Sequence, residues 1–308
     1  MAADPISGKV VLVTGPARGI GEETARQLAA RGARLSLVGM EPARLEALAA
    51  ELGPGHAWFE CDVTDQAALD RAVAGTVRHF GGIDVVIANA GIASNGTVAV
   101  TPADALVRVL EVNLIGLVRT VSATLPHVTE RRGYFLLVSS ASALAPLPGM
   151  STYAASKIGV EHFGAVLRLE VAHKGVAVGV AHPAWIDTDL VRDTRRDLKS
   201  FERTLGKLPG PFGTVTTVQE CAAAFVDGIA KRRRKIYVPR SLAPLAGIRQ
   251  IFWSSLSDRA MARQLARRVP EMEAEVRALG RSFGEHSVGP QVGTETSHQN
   301  ATANADGA

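Results

Sequence analysis

The chain has 308 residues, of which 46% are hydrophobic and 21% charged, with a formal net charge of +4. These are the proportions of an ordinary globular protein able to bury a large core. A mild positive charge spread along the chain argues against a nucleic-acid partner, and no apolar run reaches the ~18 to 20 residues that a spanning helix requires.

Residues 1–9 lack the basic, apolar and small-residue regions of a signal peptide, so cytoplasmic residence is the default expectation. From there short apolar runs alternate with helical patterns. Residues 10–14, 34–38, 84–89, 134–139, 177–181 and 236–239 read as strands. Residues 21–31, 42–52, 66–80, 102–125, 152–173 and 218–231 read as the helices between them. Strands apolar on both faces and separated by helices predict an α/β fold, a Rossmann-like doubly wound parallel sheet. Residues 187–215 are polar and bear Pro and Gly, too long for a simple connection, which predicts a lid. One domain is expected over 1–240, a helical extension over 241–284, and a disordered Ser/Thr/Gly-rich tail over 285–308. The two cysteines, Cys61 and Cys221, form no CxxC or Cys/His ligand pattern, so no metal site is expected.

Two segments carry chemistry by their spacing. The first strand runs into Thr14-Gly15-Pro16-Ala17-Arg18-Gly19-Ile20-Gly21, and a glycine-rich loop opening a helix lets backbone approach a pyrophosphate at the positive end of the helix dipole. Glycines also serve ordinary turns, so position after the first buried strand is what gives the loop meaning. In Tyr153-Ala-Ala-Ser-Lys157 a phenol and an ammonium share one helix face. A cation beside a phenol favours phenolate and lowers its pKa, giving an acid/base able to exchange a proton with an alcohol or carbonyl oxygen. A lone pair of this spacing is more often a tyrosine at a helix start beside a surface lysine, so its company decides.

In that company the chain resembles the short-chain dehydrogenase/reductase family over residues 6–240. Thr14 to Gly21 matches the TGxxxGxG loop, and Asp62-Val63 matches the point where the family's Asp meets the adenine ring. Ala88-Asn89-Ala90-Gly91 matches NNAG, Asn113 the catalytic asparagine, and Ser140 the catalytic serine thirteen residues before Tyr153. Pro183-Ala184-Trp185-Ile186-Asp187-Thr188 resembles PGxxxT, whose Thr holds the carboxamide. Ala88 and Ala184 depart from the pattern without removing a reactive side chain.

The resemblance implies a nicotinamide-dependent oxidoreductase. Tyr153 is then the general acid/base, Lys157 lowers its pKa and grips the ribose, Ser140 donates to the substrate oxygen, and Asn113 anchors a proton-relaying water. Gly15, Arg18, Gly19, Ile20, Gly21, Asp62, Val63, Asn89, Ala90, Gly91, Pro183, Ile186 and Thr188 join Tyr153 and Lys157 in holding the dinucleotide. At the end of the second strand, where NAD enzymes carry an acid, stands Gly39, with Glu41 two residues on. Arg18 occupies the place where NADP users often hold a basic residue, so NADP is the favoured cofactor and NAD the alternative.

A substrate wall of Ala93, Ser94, Leu144, Leu147, Met150, Trp185 and residues 190–212 is mostly apolar, which predicts a lipophilic alcohol or ketone. Arg192, Arg195 and Arg196 read as a solvated lid face, with an anionic substrate tail as the alternative. The basic run 231–235 and the apolar stretch 242–256, with Phe252 and Trp253, read as a helix end and a packed helix; a peripheral membrane contact is the second reading. In this family the helices at 102–125 and 152–173 pair between subunits, so a homodimer or homotetramer is expected. The competing functions are an NAD-dependent alcohol dehydrogenase working oxidatively and a catalytically silent dinucleotide-binding sensor or scaffold.

Overall fold

The first strand, β1 (Val10–Thr14), is buried along its whole length and feeds helix α1 (Gly19–Ala30). The same step repeats through β2 (Arg34–Gly39), α2 (Pro42–Leu52), β3 (Ala57–Glu60), α3 (Gln66–Phe80) and β4 (Val85–Ala88). The computed structural model describes residues 4–208 and 210–286. Next come α4 (Ala103–Leu110), a π-helical turn (Glu111–Ile115), α5 (Gly116–Glu130), β5 (Tyr134–Val138), α6 (Ser151–Val171) and β6 (Ala177–Pro183). The order ends with β7 (Trp185–Ile186), α7 (Asp189–Asp197), α8 (Lys199–Leu205), β8 (Val215–Thr216), α9 (Val218–Ala230), β9 (Lys235–Val238), α10 (Ala243–Gly247), α11 (Arg249–Phe252) and α12 (Ser255–Leu279).

Seven strands form one parallel sheet in the order β3-β2-β1-β4-β5-β6-β9. The order reverses beside β1, which opens a crevice between the carboxyl ends of β1 and β4, the usual ligand position in an open α/β sheet. One face packs on Ala25, Leu28, Leu45, Phe225 and Ile229, from α1, α2 and α9. The other packs on Leu69, Val73, Leu117, Val121, Val160 and Leu167, from α3, α5 and α6. Burial on both faces explains why these strands read as continuous apolar runs.

Two expectations need correction, and the segment expected as a lid gains detail. β3 was absent from the sequence reading because it is an edge strand with one neighbour and no fully buried residue, so it lacks the apolar signature of the others. The helix expected over 102–125 is two helices joined through the π turn, and it runs on to Glu130. The lid segment is folded: α7 and α8 rise from the two-stranded pair β7–β8, in which Trp185 faces Val215 and Ile186 faces Thr216.

The expected helical extension is α10 to α12, and it closes over α8. Ser200 Oγ donates to Glu275 Oε2 at 2.6 Å and Arg203 pairs with Glu271. Beyond α12 the chain returns to the loop after β4: Asn95 N donates to Ser282 O at 2.7 Å, and Ser94 bridges Phe283. His286 then reaches α7, its backbone N donating to Asp193 Oδ2 at 2.8 Å. The expected tail therefore begins later than 285, since Glu285 and His286 lie in an ordered turn. Its remainder, 287–308, lies outside the described residues.

Glu161 on α6 fastens the extension to the body. Its carboxylate accepts from Lys235 Nζ at 3.1 Å and Arg249 Nη1 at 2.9 Å, with His182 Nε2 3.7 Å away. Burial opposes the charge, but His182 and Lys235 outweigh it and hold the carboxyl down at about 2. Four of the five basic residues of 231–235 are engaged within the fold: Lys231 and Arg233 pair with Asp227, Arg232 donates to the carbonyls of Arg132, Gly133 and Gly175, and Lys235 binds Glu161, while Arg234 is exposed. Among the described residues no helix is long and apolar enough to cross a membrane.

Candidate active site

The loop after β1 is built for close approach. Gly15 and Gly19 take φ of +66° and +58°, which side chains rarely adopt. A Cβ on Gly21 would stand 2.5 Å from Gly15 O and 2.7 Å from Asn89 Nδ2, so only glycine fits there. Thr14 and Asn89 hold the loop in place: Thr14 Oγ1 accepts from the backbone N of Asn89 and Ala90 at 3.0 and 3.1 Å, and Asn89 Nδ2 donates to the carbonyls of Thr14 and Gly15, both at 3.1 Å. No side chain caps the start of α1, so its first N–H groups are left for a ligand.

Around this loop the predicted cofactor residues assemble. Gly15, Arg18, Gly19, Ile20, Asp62, Val63, Asn89, Ala90, Gly91, Tyr153, Lys157, Pro183, Ile186 and Thr188 all line one cavity of about 810 Å³. Gly21 lies beneath it as a packing position. A Cβ on Gly19 would approach Thr188 Cγ2 to 3.2 Å, so the β1 loop and the strand-end motif, 169 residues apart in sequence, face each other. Asp62 accepts from Thr64 N at 2.8 Å and Arg108 Nη2 at 2.8 Å. Burial raises its carboxyl, and these donors more than reverse the effect, holding it below the usual range.

Arg18 is held by Glu41, with Asp189 Oδ2 3.9 Å from its Nη1. That Nη1 is buried and has no hydrogen-bond partner, on a residue that lines the cavity. The positive-φ glycines, the uncapped helix start and this spare donor together fit a dinucleotide.

The groups expected to react come from the end of β5, from α6 and from the π turn. Tyr153 and Lys157 lie on one face of α6, with Lys157 Nζ 5.6 Å from the Tyr153 ring centre and donating to Val138 O at 3.0 Å. Ser139 Oγ donates to Lys157 O at 2.7 Å, and Ser140 Oγ accepts from Ser142 N at 3.1 Å. The π turn carries Asn113 on its inner side, fully buried. Its amide accepts from Ile92 N at 2.8 Å and donates to Ile92 O at 2.9 Å and Ser156 Oγ at 3.2 Å, so it pins the β4 loop to α6.

Burial governs the titration of the pair. It pushes the Tyr153 phenol up, with the Ser140 hydroxyl working against it, and pulls Lys157 down to about 8. Proximity of the lysine was expected to lower the phenol, but the protein's own groups leave it raised. The reason is geometric: the ammonium sits over the ring and is spent on Val138 O.

The substrate half continues along Ala93, Ser94, Leu147, Met150, Trp185 and Phe212, as expected, and adds Met261, Leu265 and Met272 from α12, which were not. Leu144 is instead fully buried behind this wall. Arg192, Arg195 and Arg196 pair with Asp187, Asp189, Glu202 and Asp193 on the rim. Ser156 was also overlooked. Its signal was its place three residues after Tyr153, whose carbonyl its hydroxyl binds at 2.6 Å. The two cysteines are buried, and burial pushes both thiols up.

The short chain dehydrogenase family model matches residues 9–199. Dehydrogenase/reductase SDR family member 7B of Rattus norvegicus is 31% identical over 270 residues, covering 84% of this chain and 81% of its own length. The protein of the same name in Mus musculus is 33% identical over 254 residues, 76% of this chain and 77% of its own. The 11-beta-hydroxysteroid dehydrogenase-like 4A of Arabidopsis thaliana is 31% identical over 258 residues, 82% of each chain. With fold, motifs and relatives in agreement, the chain belongs to the short-chain dehydrogenase family and is an oxidoreductase acting on CH–OH groups.

Proposed function

We propose that the chain interconverts a secondary alcohol and a ketone on a lipophilic substrate, using a nicotinamide dinucleotide with NADP(H) preferred. The carrying observation is that Ser140, Tyr153 and Lys157 stand where the glycine-loop half of one cavity meets an apolar half walled by Leu147, Met150, Trp185, Phe201 and Phe212. The nucleotide, when bound, supplies or accepts the hydride. In the reducing direction the Tyr153 hydroxyl gives its proton to the carbonyl oxygen as the carbon gains the hydride. Ser140 donates a second hydrogen bond to that oxygen. Preplaced donors of this kind are each worth ~3 kcal/mol in the transition state. Lys157, charged below about 8, would hold the ribose hydroxyls. Asn113 keeps the β4 loop against α6 and anchors the water that returns the proton.

Relatives named for hydroxysteroids and the apolar lining of the substrate half support a steroid-like substrate. Purified enzyme offered steroid, terpenoid, acyl and aromatic carbonyls should reduce one of the larger apolar ones. Turnover confined to sugars or charged acids defeats the reading. Nucleotide binding without turnover of any carbonyl or alcohol supports a sensor instead.

The NADP preference rests on the spare Nη1 of Arg18 and on Gly39, where no carboxylate opposes a 2′-phosphate. We expect kcat/KM to favour NADPH, and Arg18→Ala to shrink that preference by about tenfold or more. Glu41 supports the opposite choice, since its carboxylate could accept from a ribose 2′-OH. A tenfold preference for NADH therefore assigns selection to Glu41 and NAD.

Val107, Ile115, Val166 and Leu169 expose apolar surface on α4, the π turn and α6. A homo-oligomer pairing these faces is part of the proposal. Sedimentation at micromolar concentration should give a dimer or tetramer, and a monomer alone refutes it.

A further inference from the structure

The end of the described chain has two chemically different sides. Ser257, Met261, Gln264, Leu265, Arg268, Val269 and Met272 of α12 line the cavity. Offset from them at helical spacing, Leu256, Arg259 and Arg267 face solvent. The short helix before it behaves alike. Phe252 lines the cavity and packs edge-on against Phe212, with ring centres 5.7 Å apart, while its neighbours Ile251 and Trp253 point outward.

The outward residues form an unusual patch. Ile248, Ile251, Trp253 and Leu256 are 48%, 59%, 51% and 72% exposed within nine residues. No other stretch among the described residues exposes four large apolar side chains so closely in sequence. Trp253 is tethered by its ring N–H to Leu144 O at 3.3 Å, so it is held at the surface and not folded under it. The surrounding charge is one-sided: residues 240–268 contain six arginines and one acid, Asp258. Arg249 is spent on Glu161, while Arg259 and Arg267 are exposed.

We propose that the outer face of α11 and α12 docks on an anionic lipid bilayer. Ile248, Ile251, Trp253 and Leu256 enter the headgroup and upper acyl region, and Arg259 and Arg267 lie on the phosphates. Apolar anchors supply the partitioning, a tryptophan fits the boundary, and arginines select anionic lipid. The occupant is a bilayer because the patch joins apolar and cationic surface, a pairing that a water-facing helix has no use for. Its inner side is already the wall of an apolar cavity, so docking sets the cavity wall against the phase in which a lipophilic substrate dissolves. The basic run 231–235, which sequence alone offered for this role, is the weaker candidate because four of its five charges are used within the fold.

Cosedimentation of the full chain with vesicles tests this without reference to turnover, so its result is separate from that of the reaction assigned above. Binding is expected to equimolar phosphatidylcholine/phosphatidylglycerol and to be much weaker with phosphatidylcholine alone. Ile251→Ser combined with Leu256→Ser should lower partitioning by about tenfold or more, as should Arg259→Glu combined with Arg267→Glu. Both variants should keep wild-type circular dichroism. Trp253 emission should shift to the blue on binding, and Trp253→Phe should remove the shift. Failure to sediment with either vesicle, equal affinity for both, or indifference to both variants overturns the proposal. So does a loss of oligomer mass in the Ile251→Ser/Leu256→Ser variant, which would assign the face to a second copy of the chain.

Discussion

Tyr153→Phe should lower kcat by about 10³- to 10⁴-fold while leaving nucleotide affinity within a few-fold of wild type. The removed atom is the one positioned to protonate the substrate oxygen, and positioned acid/base groups contribute on the order of 10²–10⁴-fold, with donor stabilisation in addition. The ring stays, so its contact beneath Lys157 Nζ is preserved. Ser140 keeps its bond from Ser142 N, so no buried polar group is orphaned. Steady-state reduction of the best carbonyl and fluorescence titration with the nucleotide measure the two halves. A variant that retains near-normal turnover removes Tyr153 from the reaction.

Lys157→Met should abolish most turnover and yet make the nucleotide-free protein more stable at neutral pH. Burial pulls the Lys157 ammonium from 10.5 down to about 8. Between those values the unfolded chain binds more protons than the folded one, so wild-type stability rises with pH across that window. Below it the full penalty for a buried charge is present, about 3 kcal/mol. Methionine removes that penalty and forfeits the hydrogen bond to Val138 O, worth ~1 kcal/mol. A net gain of about 2 kcal/mol should raise Tm by several degrees at pH 7. The gain should shrink as the pH approaches 10.5. Calorimetry at two pH values decides the matter, and a lower Tm for the variant at pH 7 contradicts the account. The lysine is therefore kept against the interest of the fold, as expected of a group retained for its charge.

Much of this architecture is legible in the chain itself. Central strands buried on both faces advertise themselves as apolar runs, and the motifs that meet in the cavity occur in order along the sequence. Gly19 and Thr188 illustrate the limit, since nothing short of the sheet order brings those two loops into contact. β3 escaped because an edge strand shares its surface with water and needs no apolar run. The break at Asn113 escaped because the π turn, Glu111–Ile115, contains no glycine or proline to mark it. Arg18 was read as free to meet a phosphate; its engagement by Glu41 depends on the turn after β2, which composition does not reveal. Lys157 was read as an aid to Tyr153, but the sign of both shifts depends on burial, a tertiary property. The contribution of α12 to the cavity was missed for the same reason.

Tyr153, Lys157 and Glu161 recur every four residues along α6. The helix that presents the reacting groups therefore also carries, one turn further on, the bracket from which Arg249 suspends the outer wall of the cavity. An engineer who wishes to admit bulkier substrates has two edges to loosen. Slackening Arg249 would transmit every displacement to the helix that aims the phenol, trading alignment for room. The opposite edge, where His286 and Arg196 close on Asp193, makes no ion pair or side-chain hydrogen bond to α6 among the described residues and offers room without that cost. Scope and rate are separable in this enzyme from one side of the pocket only.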